Sequence, residues 1–232
     1  MSLNNKRLLH IDVLKIISIY MVLFNHTGVN GFVYFTVAKN SVMYPFYMFN
    51  SILIKVAVPL FFMTSGALLL SKEESYKTII CKRFSKYALI LIIASAIEYL
   101  YFCLRINHQK VLLLDFFKTL YTSTHATAYW YLYTYLAYIL MLPLLRKLAK
   151  AMEKRDYFWM ALMFLLVNFL SIIDFLIWKG DAGHNGSFNF FITSSYVVYP
   201  LMGYYYEYKA SSQDFTKKKL AQLVLASINV FK

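Results

Sequence analysis

Six stretches of mostly apolar residues recur along the chain, at 9–28, 50–70, 87–104, 129–145, 158–178 and 188–206, with short polar segments between them. A bilayer core needs about 20 consecutive, mostly apolar helical residues to cross it, so each stretch predicts one transmembrane helix. A seventh apolar run, Leu220–Phe231, is too short to cross. It lacks a strongly amphipathic pattern, which predicts the opening of a further transmembrane helix rather than a surface helix. The polar segments alternate in charge. Lys6 and Arg7 precede the first stretch. Lys72, Lys77, Lys82, Arg83 and Lys86 follow the second, Arg146, Lys147, Lys150, Lys154 and Arg155 the fourth, and Lys209 with Lys217, Lys218 and Lys219 the sixth. These segments hold sixteen cations against five (Lys39, Arg105, Lys110, Lys118 and Lys179) in the alternate ones. Cytoplasmic loops collect Lys and Arg, so the alternation predicts a cytoplasmic N-terminus. The expected fold is all-α: one polytopic membrane domain over 1–232, with six complete spans and the start of a seventh.

Composition supports the bilayer as solvent. Of 232 residues, 60% are hydrophobic and only 15% charged, too much apolar surface for one water-soluble globule of this size. The formal charge of +13 would point to nucleic acid in a soluble protein. Here the cations flank apolar stretches, so orientation in lipid accounts for them and no nucleic-acid partner is expected. Frequent Lys, Asn, Ile, Tyr and Phe fit an AT-rich bacterial genome and hence a multi-pass protein of the bacterial plasma membrane. Cys81 and Cys103 fall on opposite sides of the membrane in this topology, which argues against a disulfide, and two lone cysteines make no metal site. The sequence has no zinc-type histidine pair, phosphate-cradling glycine loop or nucleophile elbow.

A charge at the centre of a membrane helix costs about 2.5–3.5 kcal/mol, which makes intramembrane polar groups candidates for function. Lys55 and Asp174 lie near the outer ends of their spans, where a side chain can reach water. Glu98 lies eleven residues into the third span; it must be protonated, paired or turned to a wet cavity, and a structural hydrogen bond and a site role both fit. The first span carries Asp12, Lys15 and then Asn25-His26-Thr27-Gly28. Lys15 and His26 are eleven positions apart, about three helical turns, which puts both on one face at ~16 Å separation. A lone histidine there can simply pack. Paired with a cation on the same face it can serve as a general base, with the cation holding an anionic ligand. Lys82-Arg83-Phe84-Ser85-Lys86 places three cations in five residues, suited either to lipid phosphates or to a phosphorylated cofactor such as coenzyme A. Around the fourth span, Tyr131, Tyr135 and Tyr138 share a face behind Trp130; they form either an interfacial belt or a platform for sugar rings.

In this order the motifs resemble the acyltransferase family 3 membrane proteins, and most closely their surface-polysaccharide O-acetyltransferase-like subgroup. "IDVLKIISIYMVLFNHTG" is similar to the family's first helix, where an acidic residue, a basic residue and a histidine follow at this spacing. "VPLFFMTSGALLL" resembles its second-span signature, "KRFSKY" its basic cytoplasmic motif, and "HATAYWYLYTYLAYILMLPLLR" its aromatic span. The resemblance implies an enzyme that moves an acyl group, usually acetyl from cytoplasmic acetyl-CoA, onto a hydroxyl of an extracytoplasmic carbohydrate. The implied residues are His26 as the catalytic group with Lys15 as its basic partner, and Arg83, Lys86 and Lys82 for the donor. Asp12, Glu98 and Ser65 would support them, and Trp130, Tyr131 and Tyr135 would meet the acceptor. Acyl-CoA would be a co-substrate, with no bound cofactor and no metal. The family commonly has arginine where this chain has Lys15 and Lys86, and a lysine offers a point charge instead of a planar fork. Its members also carry more spans, so the resemblance predicts a C-terminally incomplete chain. The alternatives are a membrane protein that exports or holds a glycan without chemistry, or an inactive truncated member.

Overall fold

A computed structural model describes residues 8–106, 110–122, 129–178 and 194–210. Among these the chain is helical, with no strand. The helices are α1 (Leu9–Asn25), α2 (Tyr34–Val37), α3 (Tyr44–Ile54), α4 (Ala57–Leu69), α5 (Tyr76–Thr78), α6 (Ser85–Tyr101), α7 (Leu113–Thr122), α8 (Trp130–Ala151), α9 (Lys154–Trp178) and α10 (Ser195–Tyr204). Among the described residues four helical segments are long and apolar enough to cross a membrane: Tyr44–Leu69, Tyr76–Ile106, Trp130–Ala151 and Lys154–Asp174. They correspond to the second to fifth predicted spans. The first predicted span contains α1, which at 17 residues is not one of these four. Only the end of the sixth predicted span is described, as α10 and a π-helical turn, Tyr205–Lys209. The run 220–231 and the cations Lys6, Arg7, Lys179, Lys217, Lys218 and Lys219 lie outside the described residues.

Two segments read as loops are largely helical. The helix of the third span begins at Tyr76, not near residue 87, and runs through a π-helical stretch, Ile79–Phe84, into α6. Ser75 caps it: its side chain accepts the Thr78 N–H at 3.2 Å. Lysine and arginine are good helix formers, so charge ends the apolar pattern without ending the helix. Likewise α8 runs to Ala151 and α9 begins at Lys154. There the Glu153 N–H donates to the Asp156 carboxylate at 2.7 Å, closing the first turn. In the second span, α3 and α4 are separated by a break at Lys55 and Val56. Pro59 has no N–H to give the Lys55 carbonyl one turn back, and its ring crowds that carbonyl. Around the break the backbone tightens to three-residue bonds, Lys55 N–H to Ile52 O and Val56 N–H to Leu53 O, both 3.1 Å.

The chain packs as two compact units, one of residues 1–71 and 148–232, the other of 72–147. In the first, α4 packs on α10 and α1. The contact with α10 is at backbone distance: a Cβ on Gly66 would lie 1.9 Å from the Pro200 carbonyl oxygen, and one on Gly203 would lie 2.0 Å from that of Met63. Glycine is required at both positions, as where small residues let membrane helices approach closely. Phe62, Leu70, Phe164, Val198, Tyr199 and Leu201 fill the core around this contact. On α1, Ile11 and Ser18 are buried, while Ile16, Tyr20 and Leu23 on the opposite face are exposed, as expected of a helix with lipid on its outer side. At one end Lys209 donates to the Lys150 carbonyl (3.2 Å) and to that of Met152, closing off the end of α8 with a cation.

The second unit holds the helix Tyr76–Ile106, α7 and most of α8. Tyrosine hydroxyls fix α7: Tyr99 Oη donates to the Leu112 carbonyl at 3.0 Å and accepts the Leu112 N–H at 3.2 Å, and Tyr133 Oη donates to the Leu120 carbonyl at 2.5 Å. Cys81 is exposed and Cys103 buried, both as free thiols.

Candidate functional site

The first unit presents the residues around His26. Helix α1 is continuous to Asn25 and His26 is its C-cap, so the predicted spacing from Lys15, about 16 Å along one side, holds. Lys15 and Asp12 are half-buried and His26 is exposed. Both Lys15 and His26 flank the stripe marked by Ile11 and Ser18. The turn after His26 is tightly specified. The Thr27 hydroxyl donates to the Phe24 carbonyl at 2.6 Å and accepts the Phe32 N–H at 3.1 Å. Gly28 has φ of +57°, a left-handed conformation in which a Cβ is strained. Gly31 lies against Thr27, where a Cβ would come 2.0 Å from Oγ1. Threonine and two glycines thus fold the chain back under the histidine.

Lys55, read from sequence as a snorkelling side chain, takes part in this arrangement. Its ammonium donates to Asn25 Oδ1 at 3.2 Å and stands 4.2 Å from the centre of the Phe32 ring. The helix break imposed by Pro59 lies at Lys55 itself. Ser51, one turn earlier, donates to the Phe32 carbonyl and to that of Tyr47. The segment 25–32 is therefore tied to the second span by a cation, a hydroxyl and an aromatic face. Ser65, on α4, is buried in the same unit.

The second unit presents the basic motif. Arg83 is half-buried and holds Glu74 with two parallel bonds, Nε to Oε2 at 2.8 Å and Nη2 to Oε1 at 2.5 Å. Arg146, only 6% exposed, donates from Nη2 to the same Oε2 at 2.7 Å. Hydrogen bonds from Arg83 first, and from Arg146 after the opposing effect of burial, hold the Glu74 carboxyl well below the usual range, at about 2. Glu74 is therefore ionised at any physiological pH, and the cluster carries two positive charges on one negative. Lys82 and Lys86 are exposed, Lys86 lying 5.8 Å from the centre of the Tyr87 ring. The predicted aromatic face is built: Tyr131 stacks on Tyr135 at 5.7 Å, Tyr135 meets Tyr138 at 5.8 Å, and Tyr87 meets Tyr135 edge-on at 4.8 Å. Tyr135 and Tyr138 are buried within this column, whereas Trp130 at its end is 42% exposed. Glu98 is half-buried and hydrogen-bonds the Tyr129 side chain.

Sequence reading missed Glu74, Arg146 and the role of Lys55. Glu73 and Glu74 are the only acids in the basic segment 71–87, which was a usable signal. Arg146 was one cation among five at a helix end, and nothing local set it apart. Among the described residues no cluster of His, Cys, Asp or Glu is arranged to hold a metal ion.

Comparison with curated proteins and with solved structures finds no match. The family model described as an acyltransferase domain matches residues 8–231, nearly the whole chain and all four quoted motifs. The chain, which has four apolar helices of membrane-crossing length among its described residues, belongs by this match to the acyltransferase family 3.

Proposed function

We propose that the protein is a membrane O-acyltransferase that moves an acyl group, acetyl in the first instance, from cytoplasmic acyl-CoA to a hydroxyl of a cell-surface polysaccharide or its precursor. In this reading the N-terminus is cytoplasmic and the protein sits in a bacterial plasma membrane. His26 takes the proton of the acceptor hydroxyl as its oxygen attacks the thioester carbon, and thiolate leaves as the tetrahedral adduct collapses. Lys15 lies three turns away on the same helix face as a fixed cation. Arg83, Lys86 and Lys82 receive the donor's phosphates. On the acceptor side Trp130 offers the exposed ring, with Tyr131 and Tyr135 stacked behind it; Asp12, Glu98 and Ser65 have supporting roles.

The observation that carries the reading is the turn at His26. Thr27, Gly28 and Gly31 hold an exposed imidazole at the end of a helix that also bears Lys15. A packing histidine needs no such support. The test is transfer of radiolabelled acetyl from acetyl-CoA to glycan in proteoliposomes holding the purified chain. His26→Ala should lower the rate by about 10²–10⁴ at unchanged protein level, the usual worth of a general base. Lys15→Ala should raise the donor KM and Lys15→Arg should be tolerated. Full activity in His26→Ala would refute the assignment. Glycan retained by the wild type without any transfer of label would instead favour a carrier that does no chemistry.

A further inference from the structure

Between the third and fourth spans the chain builds α7, a helix of ten residues whose surface divides three ways. At about 100° per residue, Leu113, Phe117, Tyr121 and Leu114 fall in one arc of roughly 100°. All four are exposed, Leu114 to 84% and Tyr121 to 90%. Lys118, Thr122 and Asp115 fill the next arc and are exposed as well. The remaining arc, Thr119, Phe116 and Leu120, is half-buried, with the Phe116 ring centre 5.7 Å from that of Tyr99. One side of the helix therefore meets the protein and one carries polar groups. The third side is apolar and faces away from the protein.

The level of α7 is set by two spanning helices. Tyr99, whose hydroxyl is bonded to both the carbonyl and the N–H of Leu112, lies seven residues inside the end of Tyr76–Ile106, about 10 Å along the axis. Tyr133, bonded to the Leu120 carbonyl, lies three residues inside the start of α8, about 4.5 Å along its axis. Both ends of α7 are thus held beside the apolar ends of the spans. Trp130, of a residue type that gathers at membrane interfaces, opens α8 and is exposed. Helix α7 packs on α6, whose Ile93 and Ile97 are exposed in the manner of a lipid-facing span. Four large apolar side chains grouped in water would form a patch of the kind that soluble surfaces avoid. At a bilayer surface the same division has a use for every side. The apolar arc enters the acyl chains, Lys118 beside it reaches the headgroup phosphates, and Asp115 stays in water.

We propose that α7 is an in-plane interfacial helix, its Leu113, Leu114, Phe117 and Tyr121 face inserted among the acyl chains of the leaflet at which the third span ends and the fourth begins. The partner of this surface is the bilayer lipid itself.

The experiment is spin-label accessibility of the full chain in phosphatidylcholine liposomes. The background carries Cys81→Ser and Cys103→Ala, and single labels are placed by Leu114→Cys, Phe117→Cys, Asp115→Cys and Thr122→Cys. Each label is exposed to oxygen, which concentrates among acyl chains, and to a nickel chelate, which stays in water. The ratio of oxygen to nickel relaxation should be several-fold higher at positions 114 and 117 than at 115 and 122, following the helical period. Nickel access at all four positions would mean that α7 stands clear of the membrane, and would overturn the proposal. Low access of both reagents at 114 and 117 would mean that protein, such as a second copy of this chain, covers the face; that outcome overturns it too. The unsubstituted chain supplies a second measurement if the cysteine variants fail to assemble. Lipids bearing a diazirine near the acyl-chain carbonyl should label Leu114, Phe117 or Tyr121 on irradiation, as mapped by mass spectrometry. Labelling of the spans with none in 113–121 would refute the insertion.

Discussion

Each of the two compact units has its own internal chemistry of cohesion. In the first, α4 and α10 touch backbone to backbone through Gly66 and Gly203, and cations such as Lys55 and Lys209 find neutral partners: an amide, a ring, backbone carbonyls. In the second, two guanidiniums share one carboxylate, and tyrosine hydroxyls tie α7 to its neighbours. Close packing tolerates no added atom but is indifferent to pH. A charge cluster tolerates conservative changes of shape but depends on the ionisation of one group. The first kind of construction suits a rigid frame for a loop such as the one carrying His26.

The largest effect should come from adding atoms to the first unit. Gly66→Val or Gly203→Val puts side-chain carbons where the partner helix has its backbone, and a carbonyl cannot turn aside as a flexible side chain can. Each should cost about 3 kcal/mol, the upper range for overpacking, read as a loss of thermal stability in detergent. Gly28→Ala is the internal comparison. Its Cβ would meet nothing within 4 Å and is penalised only by a φ of +57°, so it should cost about 1 kcal/mol. Equal destabilisation by the two kinds of substitution would mean that the close approach of α4 and α10 is not what holds the first unit.

What could be read from sequence divides along the same line. The helices were legible because apolar runs of membrane length have few other solutions, and the Lys15–His26 relation was legible because it lies within one helix. The helix break at Lys55 was readable too, from the missing N–H of Pro59 four residues on. Helix ends were misjudged where charge replaced apolar residues, since hydropathy follows solvent and helix formation does not. The approach of Gly66 to Pro200 and the bond from Arg146 to Glu74 are long-range facts, and no local pattern encodes them. Family motifs pointed to Arg83 without its carboxylate, because the acid lies outside the "KRFSKY" motif.

A smaller effect should follow acidification at the Glu74 cluster of the second unit. The Glu74 carboxyl is lowered from 4.5 to about 2, chiefly by Arg83. A group with a depressed pKa contributes stability that is fully present above its unfolded value and is lost as pH falls through its folded value. The wild type should therefore lose stability between about pH 4.5 and pH 2, and Glu74→Gln should show a flatter profile over that window. Parallel profiles for the two proteins would show that the ion cluster adds nothing to the unit's stability. The first unit's glycine contact offers no such titration, so the Gly66→Val penalty should be the same at both ends of the window.

The smallest effect tests whether cations in the first unit act through neutral partners. Lys55→Met keeps the length of the side chain and removes both the bond to Asn25 at 3.2 Å and the stacking on Phe32 at 4.2 Å. A single hydrogen bond with a charged donor and a partly exposed cation–π contact together are worth about 1–2 kcal/mol, and loss of the charge's desolvation cost returns part of it. The net change in stability should accordingly stay below about 1 kcal/mol. The informative quantity is the coupling to Asn25. In a double-mutant cycle with Asn25→Ala, the two losses should fall short of additivity by about 0.5–1 kcal/mol, as for residues in direct contact. Full additivity would mean that Lys55 reaches solvent independently of Asn25, and that the loop bearing His26 is held by Thr27 and the glycines alone.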